Sequence, residues 1–116
     1  MIDWKILDHL DTLESIATLS FEKPVAIFKH STSCPISAMA KKRLELSWIE
    51  HVDIFYLDLI SYRSISNAVA SKFGIDHESP QLLVIHHGIV IYHGSHFNID
   101  TSNVKDYVSN LSSSTV

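Results

Sequence analysis

The sequence predicts an α/β fold, a four-stranded mixed sheet with helices on both faces, and three observations predict it. Four short runs rich in branched and aromatic residues alternate with segments of helical period. The first two runs flank one helical segment, which implies parallel pairing through a right-handed crossover. The last two are separated only by His87-Gly88, a pair suited to a hairpin turn and hence to antiparallel pairing. The order is α, β, α, β, α, β, β, α, and residues 1–116 read as one domain, a length near the commonest domain size.

Each element has its own signal. Trp4, Leu7, Leu10, Leu13, Ile16, Ala17 and Leu19 recur at helical intervals, so the spacing predicts an opening helix between Asp3 and Ser20, broken once near Asp11. Pro24 ends it and leads into the apolar run Val25–Phe28, read as a central strand covered on both faces. After a polar loop, Ile36, Met39, Ala40 and Leu44, with Ile49 beyond, mark the inner face of a helix over Pro35–Leu46; the proline suits its first turn. A second strand follows over Val52–Asp58. The next helix, Ser64–Phe73, presents Ile65, Ala68, Val69 and Phe73 on one side and closes on Gly74 as a left-handed cap. Pro80 precedes the strand Gln81–His86, and Ile89–His93 returns from the hairpin. The final helix covers Thr101–Leu111 with Thr101 or Ser102 as N-cap, and Ser112–Val116 reads as a frayed polar tail.

Composition narrows the function classes. Hydrophobic residues at 46% and charged residues at 19% describe a globular chain that can bury a core. A net charge of -4 leaves no basic footprint for nucleic acid and no polybasic patch for anionic lipid. No run reaches the length of a membrane span or a signal peptide, so the expectation is a cytoplasmic monomer. Eight histidines raise the question of metal. His86 and His87 are adjacent and point to opposite faces of a strand, and His30 and Cys34 lie across a loop with no second spaced pair. No zinc-like ligand pattern emerges, and the histidines read mostly as surface or hairpin residues.

The chemistry concentrates in Phe28-Lys29-His30-Ser31-Thr32-Ser33-Cys34-Pro35-Ile36-Ser37. The run passes from strand to loop to helix start and places the one cysteine of the chain at the join. A lone cysteine cannot form an internal disulfide, and elsewhere it would read as an inert small hydrophobe. At a helix N-terminus, unpaired N–H groups and the positive end of the dipole favour the thiolate, the form that acts as nucleophile.

The order of elements, the thiol at the first strand-to-helix junction and the proline before the third strand resemble the thioredoxin fold across essentially the whole chain. More narrowly, Trp4, Thr32-Ser33-Cys34-Pro35-Ile36-Ser37, Tyr56-Leu57-Asp58-Leu59, the stretch from Gly74 through Ser79-Pro80-Gln81 and the closing His-Gly hairpin resemble the monothiol bacilliredoxin, or YtxJ-like, family of bacteria. The resemblance implies removal of bacillithiol, a low-molecular-weight thiol, from client proteins that carry it as a mixed disulfide, with no metal. It implies Cys34 as the reactive cysteine, Ser37 in place of a second cysteine, and Pro80 as a cis-proline facing the active site. Ser33 and Pro35 beside the sulfur, and the backbone of Ser79, become the expected contacts of the incoming thiol and chain. The chain departs from the family at Thr32-Ser33, where Thr more usually stands directly before the cysteine, a difference that bears on substrate preference.

Those roles have plainer counterparts. A Cys-x-x-Cys pair resolves its own mixed disulfide, whereas a hydroxyl at 37 cannot, so Cys34 would take the small thiol and wait for an external one. Ser37 could hydrogen-bond the thiolate or simply lie on the helix surface. Pro80 could be an ordinary trans residue opening a strand. Lys41-Lys42-Arg43 reads as a solvated helix face, though it lies close enough to the cysteine to attract an acidic thiol bearing malate. The competing function is a thioredoxin-fold binding module in which Cys34 does no chemistry. Iron–sulfur carriage, as in monothiol glutaredoxins, fits poorly because those have glycine where Pro35 stands.

Overall fold

A computed structural model describes the backbone of residues 2–114 and the side chains of residues 2–111. Its elements are β1 (Trp4–Ile6), α1 (Leu10–Leu19), β2 (Val25–His30), α2 (Pro35–Ser47), β3 (Asp53–Asp58), α3 (Arg63–Phe73), β4 (Gln81–His86), β5 (Ile89–Ser95), a short 3-10 turn (His96–Asn98) and α4 (Thr101–Ser114). The sheet has five strands in the order β1-β3-β2-β4-β5. β3 runs parallel to both β1 and β2, while β4 is antiparallel to β2 and to β5. The mixed α/β architecture is therefore as expected, with one strand more than the four anticipated.

The extra strand comes from the segment expected to open a helix. Trp4, Lys5 and Ile6 pair with Ile54, Phe55 and Tyr56, and Leu7 N donates to Tyr56 O at 2.9 Å. The recurrence of Trp4, Leu7 and Leu10 is too brief to fix a period, and pairing here occupies the backbone groups that β3 would otherwise leave unpaired on that edge. α1 starts only at Leu10, with Leu13 and Ile16 on its buried side. In α2 the inner stripe is Ser37, Ala40 and Leu44, whereas Met39 is 55% exposed. A serine thus fills a position on the face that had been assigned to apolar residues. The N-cap of α4 is Asp100, one residue before the expected Thr101 or Ser102: its carboxylate accepts from Ser102 N at 2.8 Å. The helix continues through Ser114, so part of the anticipated frayed tail is helical, and Thr115 and Val116 lie outside the described residues.

Two local expectations match. Gly74 caps α3 at φ 67°, ψ 30°, with its N–H on Ala70 O. At the hairpin, His87 and Gly88 both have positive φ, 55° and 76°, the backbone a two-residue turn needs to follow the sheet's twist.

β2 lies in the middle of the sheet and every one of its six residues is buried. Its side chains alternate between two apolar layers. Ala26 and Phe28 join Ala40, Leu44, Val104 and Val108 beneath α2 and α4; Val25 and Ile27 join Leu13, Ile16, Ile65 and Val69 beneath α1 and α3. The strand runs two residues further than the apolar run suggested, so Lys29 and His30 enter opposite layers. Lys29 is fully buried; its ammonium donates to Ser66 O at 3.1 Å and lies 3.3 Å from His77 Nδ1. Burial lowers the Lys29 pKa from 10.5 to about 8.

This displacement has a sign. Between about pH 8 and 10.5 the unfolded chain holds a proton on this lysine that the folded chain has lost, so folding gains stability as pH rises through that window. The penalty is complete below about pH 8. We expect the urea midpoint of the native chain to rise, relative to that of Lys29→Met, between about pH 7.5 and 9.5. Parallel pH dependence of the two proteins would refute the assignment.

Candidate active site

The C-terminal ends of β2 and β3 and the start of β4 lie at one end of the sheet, and the loop carrying Cys34 leaves from there. His30 O accepts from Leu59 N at 3.1 Å, tying the end of β2 to the residue after β3. The chain then turns tightly: Cys34 N donates to Ser31 O at 3.2 Å, and Cys34 O accepts from Ala38 N at 3.1 Å to begin α2. Cys34 is the N-cap residue, extended at φ -111° and ψ 118°, with Pro35 at the first helical position and no side chain capping the helix. Its thiol is free and half-buried, while Thr32, Ser33 and Pro35 are exposed around it. The first-turn N–H groups are thus left without a side-chain acceptor next to a reachable sulfur.

Ser37, one helical turn on, is not a surface residue. It is fully buried, and its Oγ accepts from Ser31 N at 3.0 Å and lies 2.6 Å from His30 Nδ1. The hydroxyl pins the cysteine loop to the end of β2. His30 is itself 6% exposed and packs between Phe28 and Tyr56, with ring centroids at 5.7 and 5.5 Å. Burial, then the Lys41 ammonium, lowers its pKa below the usual imidazole value, against smaller opposing effects of Asp58, the Ser37 main chain and Glu45. His30 is the neighbour of the site that sequence reasoning left among the surface histidines. The signal was available: extending the alternation of Ala26 and Phe28 by two residues puts His30 on the same face.

The Ser79–Pro80 peptide bond is cis. Pro80 directly precedes Gln81, the partner of Lys29 in the β2–β4 register, which sets it at the start of β4 beside the end of β2. Pro80 O accepts from His96 N at 3.0 Å, and Gln81 Nε2 donates to Asp76 O at 3.0 Å, so both sides of the proline are held. Of the basic run in α2, Lys41 is committed to a local contact. Its ammonium sits 2.7 Å from Glu45 Oε2, which also accepts from Trp4 Nε1 at 2.9 Å, and it lies over the rings of Trp4 and Tyr56. Those bonds, from Lys41 first and Trp4 second, hold the Glu45 carboxyl below the usual range. Among the described residues no group of three or more His, Cys, Asp or Glu could hold a metal ion, and no helix is long and apolar enough to cross a membrane.

A thiol at the N-terminus of a helix, a central mixed sheet and a cis-proline at the same end of that sheet define a thioredoxin-fold chain of the thiol-redox class. Solved structures bear out the fold. One described as having a thioredoxin fold is 30% identical, with 90% of this chain and 92% of that one covered at a TM-score of 0.77. Thioredoxin from Trypanosoma brucei brucei (10% identity, 94% and 90% covered, TM-score 0.72) and a mutant thioredoxin from Halobacterium salinarum (14%, 93% and 89%, 0.69) share the fold. Residues 5–104 match the family described as monothiol bacilliredoxin BrxC. The chain belongs to the monothiol bacilliredoxin family.

Proposed function

We propose that this chain is a cytoplasmic monothiol thiol–disulfide oxidoreductase that removes bacillithiol from client proteins. The observation that carries the reading is the half-buried Cys34 at the N-terminus of α2 with a hydroxyl, not a second thiol, at position 37, in a chain of this family. The Cys34 thiolate attacks the bacillithiol sulfur of a client mixed disulfide. A Cys34–bacillithiol bond forms as the client–bacillithiol bond breaks, and the client cysteine departs as a thiolate. One disulfide replaces another, so no outside oxidant is needed. A second, external thiol, as its thiolate, then attacks the bacillithiol sulfur of the adduct: a disulfide between that thiol and bacillithiol forms as the Cys34–bacillithiol bond breaks and Cys34 departs as a thiolate, a step that the Ser37 hydroxyl cannot perform.

In this scheme Cys34 is the nucleophile and Ser37 a hydrogen-bonding partner of the site. Pro80, in its cis form, presents the Ser79 backbone to the client chain, and exposed Ser33 and Pro35 flank the small thiol. The test mixes the reduced protein with a purified client carrying one bacillithiol and follows both intact masses. Transfer of one bacillithiol mass to Cys34 with release of the unmodified client is the expected result. A client that keeps its adduct, or a persistent client–Cys34 disulfide as the main product, would sink the reading. Intact mass of the protein isolated from its own host provides a second check, since an adduct on Cys34 identifies the thiol.

A further inference from the structure

Lys29 and His77 meet nitrogen to nitrogen, and the gap between them has room for one hydrogen. Lys29 Nζ donates to Ser66 O at 3.1 Å and lies 3.3 Å from His77 Nδ1, which is also 3.1 Å from Ser66 Oγ. An ammonium only donates, so a charged Lys29 needs a bare lone pair on Nδ1 and a ring proton on Nε2. A neutral amine could instead accept from Nδ1–H. In both cases the pair is joined by one shared hydrogen. A second proton leaves an N–H on each side of the gap and sets two positive charges against each other at close range. The bond is then lost, and Nδ1–H keeps only the Ser66 hydroxyl as an acceptor.

The two residues join parts of the chain that are far apart in sequence. Lys29 is fully buried on the central strand β2, whereas His77 is exposed and lies between α3 and β4, three residues ahead of cis Pro80. One side of the imidazole is anchored inside while the ring still reaches water to exchange a proton.

We propose that His77 is a proton-sensitive positioning residue for the Ser79–Pro80 segment: when neutral it latches residues 74–80 to Lys29 of β2, and when protonated it lets go.

The charges around the ring set the direction of the switch. Lys29 of β2 and Arg63 at the start of α3 oppose a second positive charge, and the adjacent Glu78 favours one. Asp76 and, from β5, His93 line the same cavity as His77. Burial first, then the two cations, holds the ring below the usual value of 6.5. A ring that has left Lys29 takes a proton more readily than a latched one. The hold therefore weakens as pH falls through and below the ordinary histidine range and is complete above it. Two ties do not depend on the ring: Gln81 Nε2 donates to Asp76 O, and Ser95 Oγ to Glu78. The segment should thus loosen between fixed points without unfolding.

The bearing on client docking rests on the proposed function, but the latch itself is tested without bacillithiol or a client. Nitrogen-15 relaxation of the native protein gives backbone order parameters for residues 75–79 at about pH 7.5 and about pH 5, a span in which histidines titrate. They should fall from about 0.85 toward about 0.6, while those of β2 stay near the upper value. His77→Asn offers Lys29 an acceptor oxygen that takes no proton in this range, so its segment should stay ordered at both pH values. His77→Ala should be loose at both. A native segment whose order is the same at both pH values, or an Asn variant that loosens as the native chain does, overturns the latch. The docking readout uses a client carrying one bacillithiol, with external thiol in excess. Between the same two pH values the client KM of the native chain, relative to that of His77→Asn, should rise about threefold, the scale of one lost hydrogen bond. The kcat ratio should hold. A KM ratio that does not move overturns the positioning role. If neither protein de-thiolates the client while the order parameters behave as expected, the proposed function fails and the latch stands.

Discussion

Cys34→Ser removes de-thiolation of a model mixed disulfide down to the uncatalysed background, and the folded protein is as stable as the native chain or more so. The first half follows from the chemistry, since an alcohol at this position neither ionises near neutral pH nor exchanges with a disulfide. The second half follows from the structure. Residue 34 is the N-cap of α2 in extended conformation, and the native thiol makes no capping hydrogen bond. Serine is among the preferred residues there and its hydroxyl can accept from a first-turn N–H, a gain of about 1 kcal/mol. Activity should vanish while the thermal midpoint holds or rises. Substantial residual activity would exclude Cys34 as the nucleophile, whereas a collapsed midpoint would mean that the sulfur has a packing role.

Ser37→Cys should turn an acceptor of small thiols into a dithiol enzyme. Positions 34 and 37 open the first turn of α2, and position 37 faces inward behind the cysteine loop. A thiol there is within reach of a mixed disulfide on Cys34, as residues three apart on a helix are neighbours. The variant should release the small thiol unaided and accumulate an internal 34–37 disulfide, while the native chain stops at the adduct until external thiol is added. Mass spectrometry after mixing with an oxidised low-molecular-weight thiol separates the two. The reduced variant should also lose about 1–3 kcal/mol, because sulfur bonds Ser31 N–H and His30 Nδ1 poorly in a buried place. If the native chain cleared its adduct unaided, the hydroxyl at 37 would not be the reason for external resolution.

Much of this was legible in the sequence because it is written in local signals. Pro24, Gly74 and His87-Gly88 punctuate the chain where their backbone constraints require, and the apolar run from Val25 forms the strand at the centre of the sheet. What was not legible depends on contacts far apart in sequence. Trp4 has a helical interval to Leu7, yet it pairs in β1 because β3 offers an edge much later in the chain. Ser37 looked as much like a surface serine as a functional one, because its burial is decided by His30 and Ser31 in the preceding strand and loop. Lys29 and His30 looked like the start of a polar loop. A buried lysine and a buried histidine are tolerated here because each finds hydrogen-bonding partners in its own layer, and no periodicity announces such partners.

Those two consecutive residues have a mechanical consequence. Through Ser37, His30 fastens the start of α2 and the cysteine loop; through His77, Lys29 fastens the loop that leads to Pro80, which Gln81 secures again at Asp76. The two banks between which a client chain would lie are thus moored to neighbouring positions on one central strand, on opposite sides of the sheet. Each loop is tied to that strand by side-chain hydrogen bonds, so little of either remains to be ordered when a partner arrives. Binding would then cost less conformational entropy than docking onto free loops, and the gap would present the same width to every client, selecting among them by how readily each can bring an extended segment into it.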